Sequence, residues 1–215
     1  MSQWQNYEFK EIRLGIGGAP VAKMDGLRVS PAAGHDTSFL GRFDAWLLPF
    51  LNVYAVGGYT SGKTATEVQV PPLGLPLAFK LDYEGPTYGG GLTAVWGYKR
   101  FFTSVDYNYT RTALDISDSS ITAHVFTPRA GLRGNLGPFR GAAWVGAMYQ
   151  GVAQRFRGRL TFNAMPVRFD VDEEPTDPWN FLMGFRWQIS RHFNLMIEGG
   201  VGGRQQVYGG LTYRF

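Results

Sequence analysis

The sequence has 215 residues, a net charge of +4 and no cysteine; 15% of its residues are aromatic, 29 are glycine and only 18% are charged. Without thiols, a disulfide scaffold and any cysteine-based metal site or nucleophile are excluded, and the aromatic content argues against disorder. No unbroken apolar stretch of about 18 residues is present, which excludes a helical membrane protein, and the modest charge without a basic run argues against nucleic-acid binding.

The start of the chain gives the weakest pattern. Residues 1–6 lack the basic start and apolar segment of a secretory leader, so we expect the chain to begin as a mature or trimmed protein. Trp4, Tyr7, Glu11 and Leu14 have the spacing of a weakly amphipathic helix. Residues 1–20 are therefore expected to form either a helix at an interface or a flexible segment.

From residue 36 onward, apolar and polar residues alternate over long segments, which is the primary signal of a β-strand. In residues 180–189, for example, Phe181, Phe185 and Trp187 share one face while Asn180 and Arg186 share the other. Many of these segments are longer than the usual five or six residues and long enough to cross a bilayer at a tilt. Nine strands are predicted, at residues 36–48, 52–66, 77–98, 101–116, 121–135, 140–160, 167–190, 192–202 and 204–215.

The turns between these strands alternate between short and long. Short turns are predicted at residues 48–51, 99–100, 136–139 and 190–192, and longer connections near residues 61–86 and 155–179. In this the chain resembles bacterial outer-membrane β-barrel proteins over residues 36–215. The sharpest part of the resemblance is the ending Tyr213-Arg214-Phe215, in which a terminal Phe with an aromatic residue two positions earlier looks like the signal that the family's assembly machinery reads.

The resemblance implies an all-β fold, a transmembrane antiparallel up-and-down barrel with short periplasmic turns and longer extracellular hairpins. Single-chain bacterial barrels have even strand numbers, so a tenth strand is predicted upstream, at residues 22–29; eight and twelve strands are the alternatives. The implied location is the outer membrane of a Gram-negative bacterium. The implied partners are outer-membrane lipids, lipopolysaccharide and the barrel-assembly machinery, for a monomer with no cofactor and no nucleic acid.

The whole chain, residues 1–215, is interpreted as one domain with an internal duplication. The segment Leu75-Pro76-Leu77-Ala78-Phe79 is echoed by Met165-Pro166-Val167-Arg168-Phe169, which suggests four-strand repeats at residues 36–110 and 121–202. Two hairpins, with tips at residues 71–76 and 165–166, are expected to rise beyond the membrane. They would either close the barrel mouth or present a surface for a partner.

Assigning the apolar face of each strand to lipid leaves a charged set inside. The outward set includes Phe43, Leu47, Trp96, Phe181, Phe185, Trp187, Ile197 and Leu211. The predicted lumenal network consists of Arg42, Asp44, Lys99, Asp106, Asn108, Arg129, Arg133, Arg186, Glu198 and Arg214. Its cations outnumber its carboxylates, so the network predicts either a structural plug, in which Asp44, Asp106 and Glu198 pair with some of the cations, or a narrow anion-preferring pore. Asp106 and Asp44 are considered as partners of Arg129.

No catalytic or metal-binding residue is predicted. His35 with Asp36 and Ser38, or His124 near Asp115, Asp118, Ser119 and Ser120, could form a nucleophile–base set at the outer rim, but their spacing matches no motif, and His192 falls at a short turn. The sequence therefore predicts a barrel with a largely plugged lumen, which either has a structural role or binds a ligand or partner through its extracellular hairpins. The alternatives are a narrow anion channel and a lipid-modifying or hydrolytic enzyme at the rim.

Overall fold

A computed structural model describes residues 1–16, 20–23, 28–69, 76–116, 119–136, 139–162 and 165–214. Over these residues the chain is almost entirely β-strand. The strands, in chain order, are β1 (Ser2–Ile16), β2 (Ala22–Lys23), β3 (Arg28–Val29), β4 (Ala32–Leu48), β5 (Leu51–Gln69), β6 (Pro76–Tyr98), β7 (Phe101–Ala113), β8 (Ser120–Leu136), β9 (Phe139–Phe162), β10 (Met165–Pro175), β11 (Trp179–Gln188), β12 (Phe193–Gly202) and β13 (Arg204–Tyr213).

Ten of these strands form a ring in which every pairing is antiparallel. The order around the ring is β1, β4, β5, β6, β7, β8, β9, β11, β12 and β13. The ring closes on β1, because Ser2 lies opposite Val207 of β13 on one side and opposite Thr37 of β4 on the other. The fold is thus an antiparallel up-and-down β-barrel of ten strands, as the sequence predicted.

The two ends of the barrel differ. One end, called here the turn end, carries short connections such as Pro49-Phe50 and Lys99-Arg100, where Lys99 adopts a left-handed φ of 53°. At the other end, the rim, β5 with β6 and β9 with β10 extend as long hairpins. There β10 lies between β9 and the second half of β1, so it closes the rim but is not part of the ten-strand ring.

The predicted tenth strand was placed wrongly. Residues 1–16, expected to be helical or flexible, form β1. Of the predicted strand at residues 22–29, the described residues form the two-residue strands β2 and β3, and residues 24–27 lie outside the described residues. The side chains of β1 follow a period of two: Gln5 and Tyr7 are buried inside, while Trp4 and Glu8 are exposed. This segment forms a strand because it has neighbouring strands on both sides, β10 and β4, with which its backbone can form hydrogen bonds. These hydrogen bonds stabilise the strand more than the weakly amphipathic pattern would stabilise a helix.

The predicted strand at residues 167–190 is two strands in the structure. It breaks at residues 176–178, between Pro175 and Pro178, and the two parts take different neighbours: β10 pairs with β1 and β9, and β11 pairs with β9 and β12. Proline has no backbone N–H and interrupts a ladder. The break separates the rim from the wall of the barrel.

The outer face of the wall is apolar. Phe39, Phe43 and Leu47 of β4 are 86%, 83% and 63% exposed, and Phe181 of β11 is 75% exposed. Of the predicted outward set, only Trp187 is half-buried rather than exposed. Tyr and Trp residues flank the apolar stretch towards the rim (Tyr59, Tyr88, Tyr109, Tyr149, Trp179) and aromatic residues flank it towards the turn end (Trp96, Tyr98, Phe101, Phe193, Tyr213). Among the described residues, no helix is long and apolar enough to cross a membrane.

The ring is not closed evenly. β1 separates β13 from β4 only in the rim-side half, where Ser2 to Gln5 pair with β13. Towards the turn end, residues 208–213 of β13 and 39–48 of β4 keep their ladders to β12 and β5, but no ladder joins these two stretches to each other or to β1. This interval between β13 and β4 is called the seam below.

Candidate functional site

The middle of the lumen contains an ion pair between β8 and β12, which are separated by β9 and β11 around the ring. Arg129 of β8 donates hydrogen bonds from Nε and Nη2 to the two carboxylate oxygens of Glu198 of β12, at 2.7 and 2.9 Å. The indole Nε1 of Trp144 donates to the same carboxylate at 2.7 Å. Glu198 is only 3% exposed. A bidentate pair completed by a third donor is the arrangement that makes a buried carboxylate tolerable.

A glycine makes room for this network. A Cβ added at Gly184 of β11 would lie 2.6 Å from the ring of Trp144, so only glycine lets the indole reach Glu198. The inward positions of β8, β9, β11 and β12 therefore form one packed layer. We call the network of Arg129, Trp144 and Glu198 the middle layer.

A second carboxylate is held by neutral donors on the opposite wall. Asp106 accepts hydrogen bonds from the hydroxyl of Tyr54 at 2.9 and 3.1 Å, from Thr93 at 2.6 Å and from Asn108 at 3.2 Å. The guanidinium of Arg42 lies 3.5 Å from the centroid of the Tyr54 ring. Arg129 therefore pairs with Glu198, one of the three carboxylates expected to pair with lumenal cations, and not with Asp106 or Asp44, the two partners considered for it.

Hydroxyl groups connect four neighbouring strands. Oxygen atoms of Ser38 and Thr60 are 2.9 Å apart, those of Thr60 and Thr87 2.7 Å, and those of Thr87 and Thr112 2.8 Å. Each hydroxyl can donate one hydrogen bond and accept another, so the row is satisfied without charge. Thr127 of the next strand, β8, is 1% exposed, so the lumen is filled at this wall as well.

The rim layer is built around Asp36. This carboxylate accepts hydrogen bonds from the hydroxyls of Tyr83 and Tyr7, the latter at 3.2 Å, and from Gln3 Nε2 at 3.3 Å. The Tyr83 ring packs on Phe156, with centroids 5.3 Å apart. Phe156 and Tyr7 are 1% and 0% exposed, so the barrel is occupied here by side chains from β1, β4, β6 and β9.

Glu173 of β10 is the unusual group of the rim layer. It is 3% exposed, its Oε2 is buried without a hydrogen-bond partner among the described residues, and burial, with a smaller effect of Asp36, raises the pKa of its carboxyl to about 7. Nearby, Gln5 and Arg204 also bury polar atoms without partners. Such groups cost free energy in the folded state, so the rim layer is less well satisfied than the middle layer.

The turn end of the lumen is cationic and more open. Arg133 donates from Nε to the carbonyl of Lys99 at 3.1 Å, and Arg186 and Arg214 are exposed. No ion pair joins these three arginines to a carboxylate of the described residues. The Arg42–Asp44 pair is long, at 3.5 Å, and its side chains are 40% and 35% exposed.

The predicted network is thus divided. Six of its residues take part in the contacts above (Arg42, Asp44, Asp106, Asn108, Arg129, Glu198), and Lys99, Arg133, Arg186 and Arg214 lie at the turn end. Sequence reasoning missed the rim layer and Trp144. The inward position of Asp36 could have been predicted, because Asp36 is separated from Arg42 and Asp44 by an even number of positions along β4 and therefore lies on the same face. Tyr7 could not, because it lies in the segment that was not recognised as a strand.

The structure does not bring together the residues that the sequence grouped around His35. His35 points outward, stacked on Trp4 at 4.6 Å between centroids and with Nε2 2.9 Å from the hydroxyl of Ser2, whereas Asp36 and Ser38 point inward. The Nδ1 of His124 is 2.9 Å from the hydroxyl of Tyr107. Two other predicted groups have other partners: Ser119 bonds the backbone of Arg157, and His192 the carbonyl of Arg214. In the described part of the chain, no group of three or more metal-binding side chains occurs.

Some predicted features lie outside the described residues. These are Phe215 of the proposed assembly signal, Asp118 of the His124 group, residues 137–138 of one short turn and most of the first hairpin tip, residues 70–75.

Comparisons with known proteins give little further information. No family model matches the chain, and no curated protein matches it. Among solved structures, the chain is similar to OmpF of Salmonella typhi in complex with daunomycin, with 9% identity and a TM-score of 0.21 over 100% of this chain and 97% of that one. A similarity at this TM-score carries no argument, so the barrel is defined by its own strand pairing.

Proposed function

We propose that this protein is an integral outer-membrane β-barrel whose lumen is sealed by its own side chains, and that it acts as a structural or partner-binding protein rather than as a channel. The observation that carries the proposal is the polarity of the wall, which is apolar outside and polar inside. Phe39 to Leu47 spans nine residues, the length that a tilted transmembrane strand needs. Aromatic residues on both sides of this stretch match the two interfaces of a bilayer.

The low exposure of the inward side chains supports a sealed lumen. Thr127, Phe156 and Arg204 are each 1% exposed and Glu198 is 3% exposed, so water barely reaches the middle and rim layers. A barrel of this size has little internal space once its inward side chains are in place. The turn end would face the periplasm and the hairpins would face outward.

A narrow anion-preferring channel is the second candidate. It is favoured by Arg133, Arg186 and Arg214 at the turn end, which carry charge that no described carboxylate neutralises. In this alternative the middle and rim layers would have to open for ions to pass.

The accessibility of introduced cysteines distinguishes the sealed barrel from the channel. The chain has no cysteine of its own, so each variant carries a single reactive thiol. We expect Thr127→Cys, in the sealed region, to resist a charged methanethiosulfonate reagent in the refolded protein. Its matched control, Thr212→Cys, is exposed on the inward face of β13 near the turn end and should react readily. Steady single-channel conductance in planar bilayers, together with fast labelling at both positions, would overturn the sealed barrel and favour the channel.

A further inference from the structure

The seam leaves two strand edges without partners in the wall of the barrel. On one side are residues 208–212 of β13, and on the other residues 39–48 of β4. Their neighbours on the far sides, β12 and β5, are fully paired. Each edge therefore offers a row of free backbone N–H and C=O groups.

The rim-side half of the same interval shows what fits between these edges. There β1 pairs antiparallel with both strands at once, with Gln3 opposite Gln206 and also opposite Asp36. Neighbouring strands are about 4.8 Å apart, so in this half β13 and β4 are separated by the width of one strand. Continued in the same register, a strand in the seam would lie opposite residues 209–213 and 39–43.

Hydrocarbon cannot replace the missing partner. Backbone polar groups facing lipid cost several kcal/mol each when unsatisfied, which is why membrane barrels pair their strands. An extended peptide satisfies both rows of groups, as in strand addition to a sheet edge. We propose that the seam binds an extended polypeptide segment of about five residues as an added strand, antiparallel to β13 and β4. The inference rests on the proposed membrane location, but it does not depend on whether the lumen is sealed.

The side chains beside the seam define the chemistry of this segment. Phe43 and Leu211 flank it on the outer face, where they are 83% and 66% exposed. Arg42 and Arg214 flank it on the lumenal side, and Arg186 lies close enough to Arg214 for their charges to interact. Asp44 lies 3.5 Å from Arg42, so these three arginines outnumber the carboxylate beside them. The segment should therefore carry apolar residues at alternate positions facing outward and acidic residues at the positions facing inward.

Disulfide capture tests the proposal in the refolded full chain. The probe is a pentapeptide, leucine-glutamate-cysteine-glutamate-leucine, whose central cysteine would lie between Gly41 and Leu211. We expect Gly41→Cys to capture it on oxidation, since an added Cβ there is 3.6 Å from its nearest neighbour. Leu211→Cys, on the opposite edge, should capture the same cysteine.

The matched control is Gly57→Cys, which lies opposite Gly41 on β5, one strand farther from the seam, and also has open space around an added Cβ. It should capture several-fold less peptide than Gly41→Cys. Replacing both glutamates of the probe with lysine should also reduce capture, because the lumenal side is cationic. Equal capture by Gly41→Cys and Gly57→Cys would overturn the proposal.

Two further outcomes would overturn it in favour of another structure of the seam. A disulfide within the Gly41→Cys/Leu211→Cys double variant would mean that the two edges meet directly. Preferential formation of Gly41→Cys dimers over peptide capture would mean that a second copy of the chain occupies the edge. Retention of the folded, faster-migrating form on unheated gels is required of each variant, and the variants on the two edges provide independent readings.

Discussion

Glu198 connects three strands through its contacts with Arg129 and Trp144, and it does so almost without exposure to water. Removing one member of such a pair leaves the other buried and uncompensated, whereas replacing both can be nearly neutral. The middle layer is therefore sensitive to single changes and tolerant of paired ones.

We predict that Glu198→Gln lowers the free energy of unfolding by about 3 kcal/mol, and that adding Arg129→Met recovers much of this loss. Urea unfolding of the refolded protein, followed by tryptophan fluorescence, measures both. Asp44→Asn is the control: the Arg42–Asp44 pair is exposed and 3.5 Å long, so its loss should cost less than about 1 kcal/mol. Equal losses from Glu198→Gln and Asp44→Asn would contradict this prediction.

Glu173 makes the stability of the rim depend on pH. Its pKa is raised from 4.5 to about 7, mainly by burial, so the folded state holds this proton more tightly than the unfolded state. The resulting stability is fully present below pH 4.5 and is lost as the pH rises through 7, by at most about 3 kcal/mol.

We predict that Glu173→Gln removes this part of the pH dependence, measured as urea unfolding between pH 4 and pH 8. The adjacent Glu174→Gln is the matched control, since Glu174 is half exposed and paired with Lys10. That variant should keep the decline in stability on raising the pH. A decline that survives unchanged in Glu173→Gln would mean that another group is responsible.

At the scale of the elements, β11 and β12 differ in how much space they leave for a side chain. A Cβ at Gly184 of β11 would meet the Trp144 ring at 2.6 Å, whereas a Cβ at Gly199 of β12 would meet nothing within 4 Å. We predict that Gly184→Ala lowers the free energy of unfolding by about 1–3 kcal/mol, as overpacking does, while Gly199→Ala leaves it unchanged or raises it. Thermal melts of the two variants test this, and matching melting temperatures would be inconsistent with it.

The strands of the wall could be predicted because their outer faces are apolar over long alternating stretches. Phe181 to Trp187 is an example, with the predicted parity found in β11. β1 escaped prediction because much of it lies at the rim, where its exposed positions, such as Glu8 and Lys10, contact water instead of an apolar surface. Alternation is lost where both faces are polar, and a strand then depends on partners that are distant in sequence.

The lumenal site could be predicted only as a set of inward residues. The alternation of side chains along each strand predicts that Arg129, Asp106 and Glu198 point inward, but it does not predict which of them are in contact. Residues 129 and 198 belong to strands that are separated by β9 and β11 around the ring, so their contact depends on barrel diameter and strand stagger. Trp144 was unexpected because an inward tryptophan needs a glycine on the neighbouring strand, which only the register reveals.

For the molecule as a whole, entry into the membrane is a separate question from stability. Because the ending Tyr213-Arg214-Phe215 resembles the assembly signal of outer-membrane barrels, we predict that Phe215→Ala reduces, several-fold, the folded protein recovered in the outer-membrane fraction of cells. The same variant refolded in detergent should be as stable as the wild type. Arg214→Ala, which keeps both aromatic residues, is the control. Normal assembly of Phe215→Ala in cells would argue against a signal at this end.

The position of β1 also sets the order in which the barrel can form. One edge of β1 pairs with β4, which follows early in the chain, but the other edge lies opposite Val207 and opposite Glu173 and Glu174, so the partners of this second edge are among the last parts of the chain to be synthesised. Contacts of such large sequence separation slow folding, because a long loop must close before they form. This edge of β1 must therefore stay unpaired until almost the entire chain has emerged, even though β4 can already cover the other edge, and an unpaired strand edge is prone to aggregation during that interval.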